Sequence, residues 1–129
     1  MGRFLLVCLG GAIGTGLRYV TSGLAARWLG ADFPYGTLIV NVVGSFSIGL
    51  VQQVGLATLL IPDGARMFLT VGLLGGLTTY SAFSYETVRM MEFGSWQQAW
   101  LNVLLTTAVC LAVCFLGIAV GRALVGPRG

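Results

Sequence analysis

Between Met67 and Tyr85 the chain carries no charge, yet its middle reads Leu73-Leu74-Gly75-Gly76-Leu77-Thr78-Thr79-Tyr80-Ser81-Ala82-Phe83-Ser84. Glycines, hydroxyls and aromatic rings thus crowd into one membrane-length segment. Paired glycines followed by two threonines weaken an α-helix. Irregular backbone at membrane depth survives only where it is buried in protein or lines a pathway, so the run predicts a broken helix and a conducting or transporting site. Beyond the break, Tyr80, Phe83, Ser84 and Thr87 recur at three- and four-residue spacing, which sets rings and hydroxyls on one face. Aromatic edges are weakly positive and can approach an anion in-plane, although packing is the ordinary use of Phe and Tyr. Glu86 stands beside them, placed to pair with an arginine, to cap the pathway or to face water.

Three other segments carry polar residues in register. Asn41, Ser45, Ile48 and Gln52 form a stripe with Gly44 and Gly49 alongside, and Thr37 lies one turn before Asn41. A carboxamide deep in lipid is costly unless paired, and its two N–H donors can replace water around a small anion without adding a full charge. Hydrogen-bonding glue between helices is the alternative. Asn102, Thr106 and Cys110 recur every four residues next to Thr107, a stripe that serves either as packing surface or as donors along which a dehydrated anion steps. Gly10, Gly14 and Arg18 share a third face. Its glycines permit close helix contact, and Arg18 is either an interfacial anchor or a buried or vestibule charge that draws anions inward.

The elements that must hold these residues follow from composition. Of 129 residues 57% are hydrophobic and only 9% charged, and the mean hydropathy is +0.92, so this is a membrane protein. At about 20 apolar residues per span, the chain is one transmembrane domain, residues 1–129, of four helices and little else. The spans are predicted at residues 3–26, 36–60, 66–91 and 98–124. Turn formers occupy the connections, Ala31-Asp32-Phe33-Pro34-Tyr35, Pro62-Asp63-Gly64 and Glu92-Phe93-Gly94-Ser95. Trp28, Phe33, Tyr35, Phe93, Trp96 and Trp100 gather at the first and third loops as an aromatic belt. The opening Met1-Gly2-Arg3 and its apolar run resemble a signal peptide, but Arg18 and the glycine ladder argue that the segment stays in the mature protein.

The arginine bias across the membrane is weak. Arg3, Arg66, Arg122 and Arg128 lie on the side of the termini and Arg27 and Arg89 on the other, with Arg18 inside span one. So weak a bias permits insertion both ways and makes an antiparallel dimer plausible. The net charge of +3 comes from scattered arginines, which excludes a nucleic-acid surface. Cys8, Cys110 and Cys114 lie in apolar segments without metal-ligand spacing and read as small buried residues. With no histidine, no nucleophile beside a base and no ligand cluster, enzyme chemistry has little footing.

Three ordered motifs, Gly10-Gly11-Ala12-Ile13-Gly14 leading to Arg18-Tyr19, then Gly36-Thr37-Leu38-Ile39-Val40-Asn41, then the run from Gly75 to Ser84, resemble the Fluc (CrcB) fluoride channels. The resemblance extends to the chain's length and four-span layout. It implies an all-α membrane protein with a break in the third of four helices, assembled as an antiparallel, dual-topology homodimer in a bacterial inner membrane. It also implies passive fluoride export through two pores and a structural sodium ion at the dimer centre. By motif position Asn41 is the pore asparagine, Tyr80 and Phe83 take the two aromatic positions whose ring edges meet fluoride, and Ser81, Ser84 and Thr37 supply hydroxyls. Asn102 and Thr106, with Cys110, align with the polar track of the fourth helix. Arg18 and Glu86 match charged positions near the pore, and Gly75 and Thr78 offer backbone carbonyls to sodium. Tyr80 stands where that family has Phe, and Ala82 where Thr is common.

The physical task suits these parts. Fluoride is small and strongly hydrated, so passage requires neutral donors, whereas a fixed cation in the narrow region would hold it too tightly. Two rivals remain at this point. A proton-coupled small multidrug transporter should carry a carboxylate within span one, where this chain has none: Asp32 and Asp63 are in loops and Glu86 and Glu92 fall late in span three. In a non-transporting structural subunit, Asn41 and the span-three cluster would serve assembly alone.

Overall fold

The computed structural model describes residues 1–126; Arg128, counted above on the side of the termini, lies outside them. Helix α1 covers Gly2–Leu29 and α2 covers Tyr35–Ala57. The third span, Asp63–Glu92, is two helices: α3, residues 63–77, and α4, Tyr80–Glu92. Helix α5 covers Trp96–Val125. All four spans are long and apolar enough to cross a membrane, and no strand occurs among the described residues.

Local chemistry fixes the ends. Gly30 and Gly94 take φ of 92° and 83° after α1 and α4, a conformation that costs glycine little. Pro34 and Pro62 precede α2 and α3, where a missing N–H does no harm. Helix α2 stops at Ala57, three residues short of the predicted end. Thr58 there turns extended and its hydroxyl donates to Val54 O at 2.8 Å. Asp63 joins the first turn of α3, where its charge suits the helix N-terminus.

The third span differs from expectation in detail. Its break falls at Thr78 and Thr79, with ψ of 155° and 124°, whereas Gly75-Gly76 remains helical through Leu77. Upstream, Phe68–Leu74 is wound as π-helix, a wide form associated with functional segments that glycine counting does not foresee. Gly76 serves contact instead: a methyl group on it would come within 2.5 Å of Gly11 O. On α1 the favour is returned, since a methyl on Gly10 would come within 2.7 Å of Phe68 O and one on Gly14 would overlap Leu73 O. Gly49 on α2 and Gly117 on α5 make the same kind of approach, toward Cys114 O and Phe46 O. Backbone-to-backbone packing of this kind is how helices associate where lipid offers no hydrophobic drive.

Helix α5 packs along α2, and α3 packs along α1. Helix α4 leaves that pair and packs against α5, so the break lets one span serve both sides of the bundle. No contact joins α1 to α5 among the described residues. Cys110 and Cys114 are half-buried, but Cys8 is exposed on the single chain, which departs from the buried reading. Gly14→Ala should destabilise the detergent-solubilised protein by about 1–3 kcal/mol through overpacking, read as a lower denaturation midpoint. Gly16→Ala, in open space on the same helix, is the control and should hold the midpoint or raise it slightly, since alanine favours the helix by up to about 1 kcal/mol.

Candidate ion pathway

The two faces of the Asn41 carboxamide both engage the break. Its Nδ2 donates to Thr79 O at 3.0 Å, and its Oδ1 accepts from Thr79 N at 2.9 Å. The helical bond that would close Thr79 onto Gly75 O is thereby replaced by a side chain from α2, which leaves the Gly75 carbonyl without that donor. Thr79 then starts α4: its Oγ1 accepts from Ala82 N at 3.2 Å, an N-cap of the usual kind. Upstream, Thr78 N and Thr78 Oγ1 both donate to Leu74 O, at 3.0 and 2.8 Å, while Arg18 Nε donates to Gly76 O at 3.1 Å. A methyl on Gly44 would overlap Thr78 Cγ2, so only glycine lets the break lie this close to α2.

A groove of about 460 Å³ opens at this point. Asn41, Ser45 and Ile48 line it from α2, Thr70, Gly75, Thr78 and Thr79 from the third span, and Thr106, Thr107 and Cys110 from α5. Tyr80 and Phe83 line it from α4, their ring centroids 5.5 Å apart and tilted by 54°. Phe83 is buried at 8% exposure while Tyr80 is 79% exposed. No charged residue is among those that line the groove. It is a neutral, hydroxyl-bearing trough with an aromatic pair and one carboxamide.

The structure brings together Asn41, Tyr80, Phe83, Thr106, Gly75 and Thr78, with Ser45, Thr107 and Cys110 of the polar stripes, and sets Thr37, Ser81, Ser84, Asn102, Arg18 and Glu86 apart from the groove lining. Ser81 is exposed, its Oγ 3.3 Å from Thr79 Oγ1, and Ser84 Oγ donates to Tyr80 O at 3.0 Å, a local bond of the sort serines make within helices. Neither lines the groove. Asn102 is buried at 1% exposure and is held by Thr87 and Thr106, so the stripe it shares with Thr106 leaves it behind the groove wall. Thr37 donates to Glu86 Oε1 at 2.6 Å, and the two line a separate pocket of about 180 Å³ near the first loop, with Ser22, Phe33 and Gly36. Of the three roles considered for Glu86, the arginine pair is not formed among the described residues. Its hydrogen-bond partner is the Thr37 hydroxyl, and the ion pairs among the described residues are Arg66–Asp63 at 3.5 Å and Arg89–Glu92 at 3.0 Å. Gln52 completes the α2 stripe only in sequence, for its Oε1 is buried without a hydrogen-bond partner. Sequence reasoning missed Thr79, whose backbone is the partner of Asn41, and Thr70; the threonine doublet after the glycines was the signal for the first.

Residues 5–118 match the family described as CrcB-like protein, Camphor Resistance (CrcB). The chain belongs to this family. Among CrcB-like relatives, the "Fluoride-specific ion channel FluC" of Geobacter metallireducens is 51% identical over 122 residues, covering 95% of this chain and 98% of the relative. The protein of the same name from Anaeromyxobacter dehalogenans is 47% identical, covering 98% and 100%. That from Trichlorobacter lovleyi is 47% identical, covering 92% and 93%. The matched residues reach into all four spans and include the positions of the break and of the groove lining.

Proposed function

We propose that this chain is a fluoride channel that exports the ion passively across a bacterial inner membrane. The observation that carries the reading is the uncharged groove laid against a broken, side-chain-clamped helix. Broken helices in membranes are kept for ion or substrate sites, and a neutral trough offers donors that replace hydration without trapping the ion. Asn41 Nδ2 carries two N–H groups, of which one goes to Thr79 O; the second is free to meet an anion. Around it the hydroxyls of Ser45 and Thr107 add neutral polar groups, while Thr70 Oγ1 donates to Arg66 O at 2.8 Å, and the Tyr80–Phe83 pair presents ring edges. Thr37 and Glu86 would serve the approach from the first loop, and Arg18, bound to Gly76 O, would hold the upstream side of the break.

The same reading takes two chains in antiparallel orientation, each contributing its groove. Support comes from the weak arginine bias and from the 79% exposure of Tyr80 on the single chain, an aromatic position on the groove lining that a second copy would cover. Sodium fits the break by its donor set: Gly75 O lacks its helical donor, Thr78 is extended, and hard cations prefer oxygen ligands. When bound there, sodium would supply a central positive charge held by Gly75 and Thr78 carbonyls.

Purified protein in liposomes loaded with potassium fluoride provides the test. Rapid efflux at a fluoride electrode, with chloride retained, is the expected result; proton-coupled cation movement would instead assign a multidrug transporter, and silence a structural subunit. Dual insertion is read separately. In a chain with Cys8, Cys110 and Cys114 replaced, Gly2→Cys should be labelled from both faces of the membrane, and labelling from one face alone would refute the antiparallel arrangement.

A further inference from the structure

Four groups at and behind the groove wall form a single file of hydrogen bonds. Thr106 Oγ1 donates to Asn102 Oδ1 at 3.1 Å, Asn102 Nδ2 donates to Thr87 Oγ1 at 2.9 Å, and Thr87 Oγ1 donates to Phe83 O at 2.6 Å. The direction of the file is fixed by its last member. A backbone carbonyl only accepts, so the Thr87 hydrogen points to Phe83 O; Thr87 then receives from the amide nitrogen of Asn102, whose oxygen is left to face the Thr106 hydrogen. The reverse order would bring the Asn102 oxygen against a hydroxyl whose one hydrogen is already committed. All of Thr87, Asn102 and Thr106 are buried, at 5%, 1% and 8% exposure, where an unpaired polar group is expensive.

Two consequences follow from that direction. Thr106 lines the groove with its hydrogen already given to Asn102, so toward an ion it offers lone pairs and not a donor. The other end of the file is the carbonyl of Phe83, a residue that lines the groove. We infer that Thr106, Asn102 and Thr87 are positioning residues: the file bolts α4 to α5 and sets the height of the Phe83 ring, and Asn102 and Thr106 do not ligate fluoride. This rests on the fluoride reading of the groove, and it transfers to Thr87, which lies off the groove lining, an influence on flux that a donor track would give only to Thr106.

The test compares isosteric and conservative variants in liposomes. Thr87→Val and Thr106→Val should each lower fluoride flux about fivefold, because each leaves a buried N–H or C=O of Asn102 without its partner. The double variant should fall no further than either single one, and Thr87→Ser and Thr106→Ser, which keep the hydroxyl, should restore flux. Wild-type flux in Thr87→Val, or losses that multiply in the double variant, would overturn the relay and return Thr106 to the ion path. A second readout does not depend on conduction. Hydrogen–deuterium exchange of the α4 amides should quicken in both valine variants and stay at wild-type rates in both serine variants, and unchanged exchange in Thr87→Val would equally overturn the relay. If the wild-type protein carries no fluoride while the exchange pattern appears as stated, the fluoride reading fails and the relay stands.

Discussion

Asn41→Asp should cut fluoride flux by about a hundredfold or more while the protein still assembles. The substitution is isosteric, so α2 and its glycine contacts are undisturbed, and Oδ1 can still accept from Thr79 N. The loss is confined to Nδ2, which donates to Thr79 O at 3.0 Å and carries the remaining N–H toward the groove. A carboxylate oxygen there faces a carbonyl oxygen at one side and an anion at the other. Two like charges about 4 Å apart repel by roughly 4 kcal/mol at an effective dielectric constant near 20, which is nearly three powers of ten in occupancy. Size-exclusion chromatography and electrode efflux on one preparation measure both halves of the expectation. Flux at the wild-type level would remove Asn41 from the pathway and leave it as the clamp of the break alone.

Phe83→Ile should lower flux about tenfold, near the upper limit of what an aromatic edge contributes beyond simple burial, whereas Tyr80→Phe should leave it within about twofold. The contrast follows from the two positions. Phe83 is buried on the groove lining, so a branched aliphatic chain fills its volume without its edge. Tyr80 tilts over it at 5.5 Å, and its ring, not its hydroxyl, is what meets Phe83. A large loss in Tyr80→Phe would show that the hydroxyl itself donates to the ion, and normal flux in Phe83→Ile would reduce Phe83 to packing.

How much of this was legible beforehand depended on whether a residue's role was set by its own helix. Four apolar spans, their turns and the weakness of the third were all local properties, and each appeared within a few residues of its expected place. The break itself slipped from Gly75-Gly76 to Thr78-Thr79 because glycine flexibility marks where a helix can yield, while the bond that makes it yield comes from Asn41 on another helix. The same limit explains the polar stripe on the last span. Spacing put Asn102, Thr106 and Cys110 on one face, but only the neighbour's Thr87 decides that Asn102 is walled off. Ser84 stands off the groove lining for a simpler reason, since a serine within a helix readily turns its hydroxyl to the preceding turn.

The glycines at helix contacts carry an implication for anyone mapping this protein by saturation mutagenesis. Gly10, Gly14, Gly49, Gly76 and Gly117 each face a neighbouring backbone that leaves no room for a methyl group, and none of the five lines the groove. A scan scored by cell survival in fluoride would therefore mark them as intolerant as Asn41 itself, drawing two bands of lethal positions that trace helix seams instead of the conduit. Scored by protein abundance, those bands would persist while the mark at Asn41 would fade, and the difference between the two maps would draw the outline of the pore.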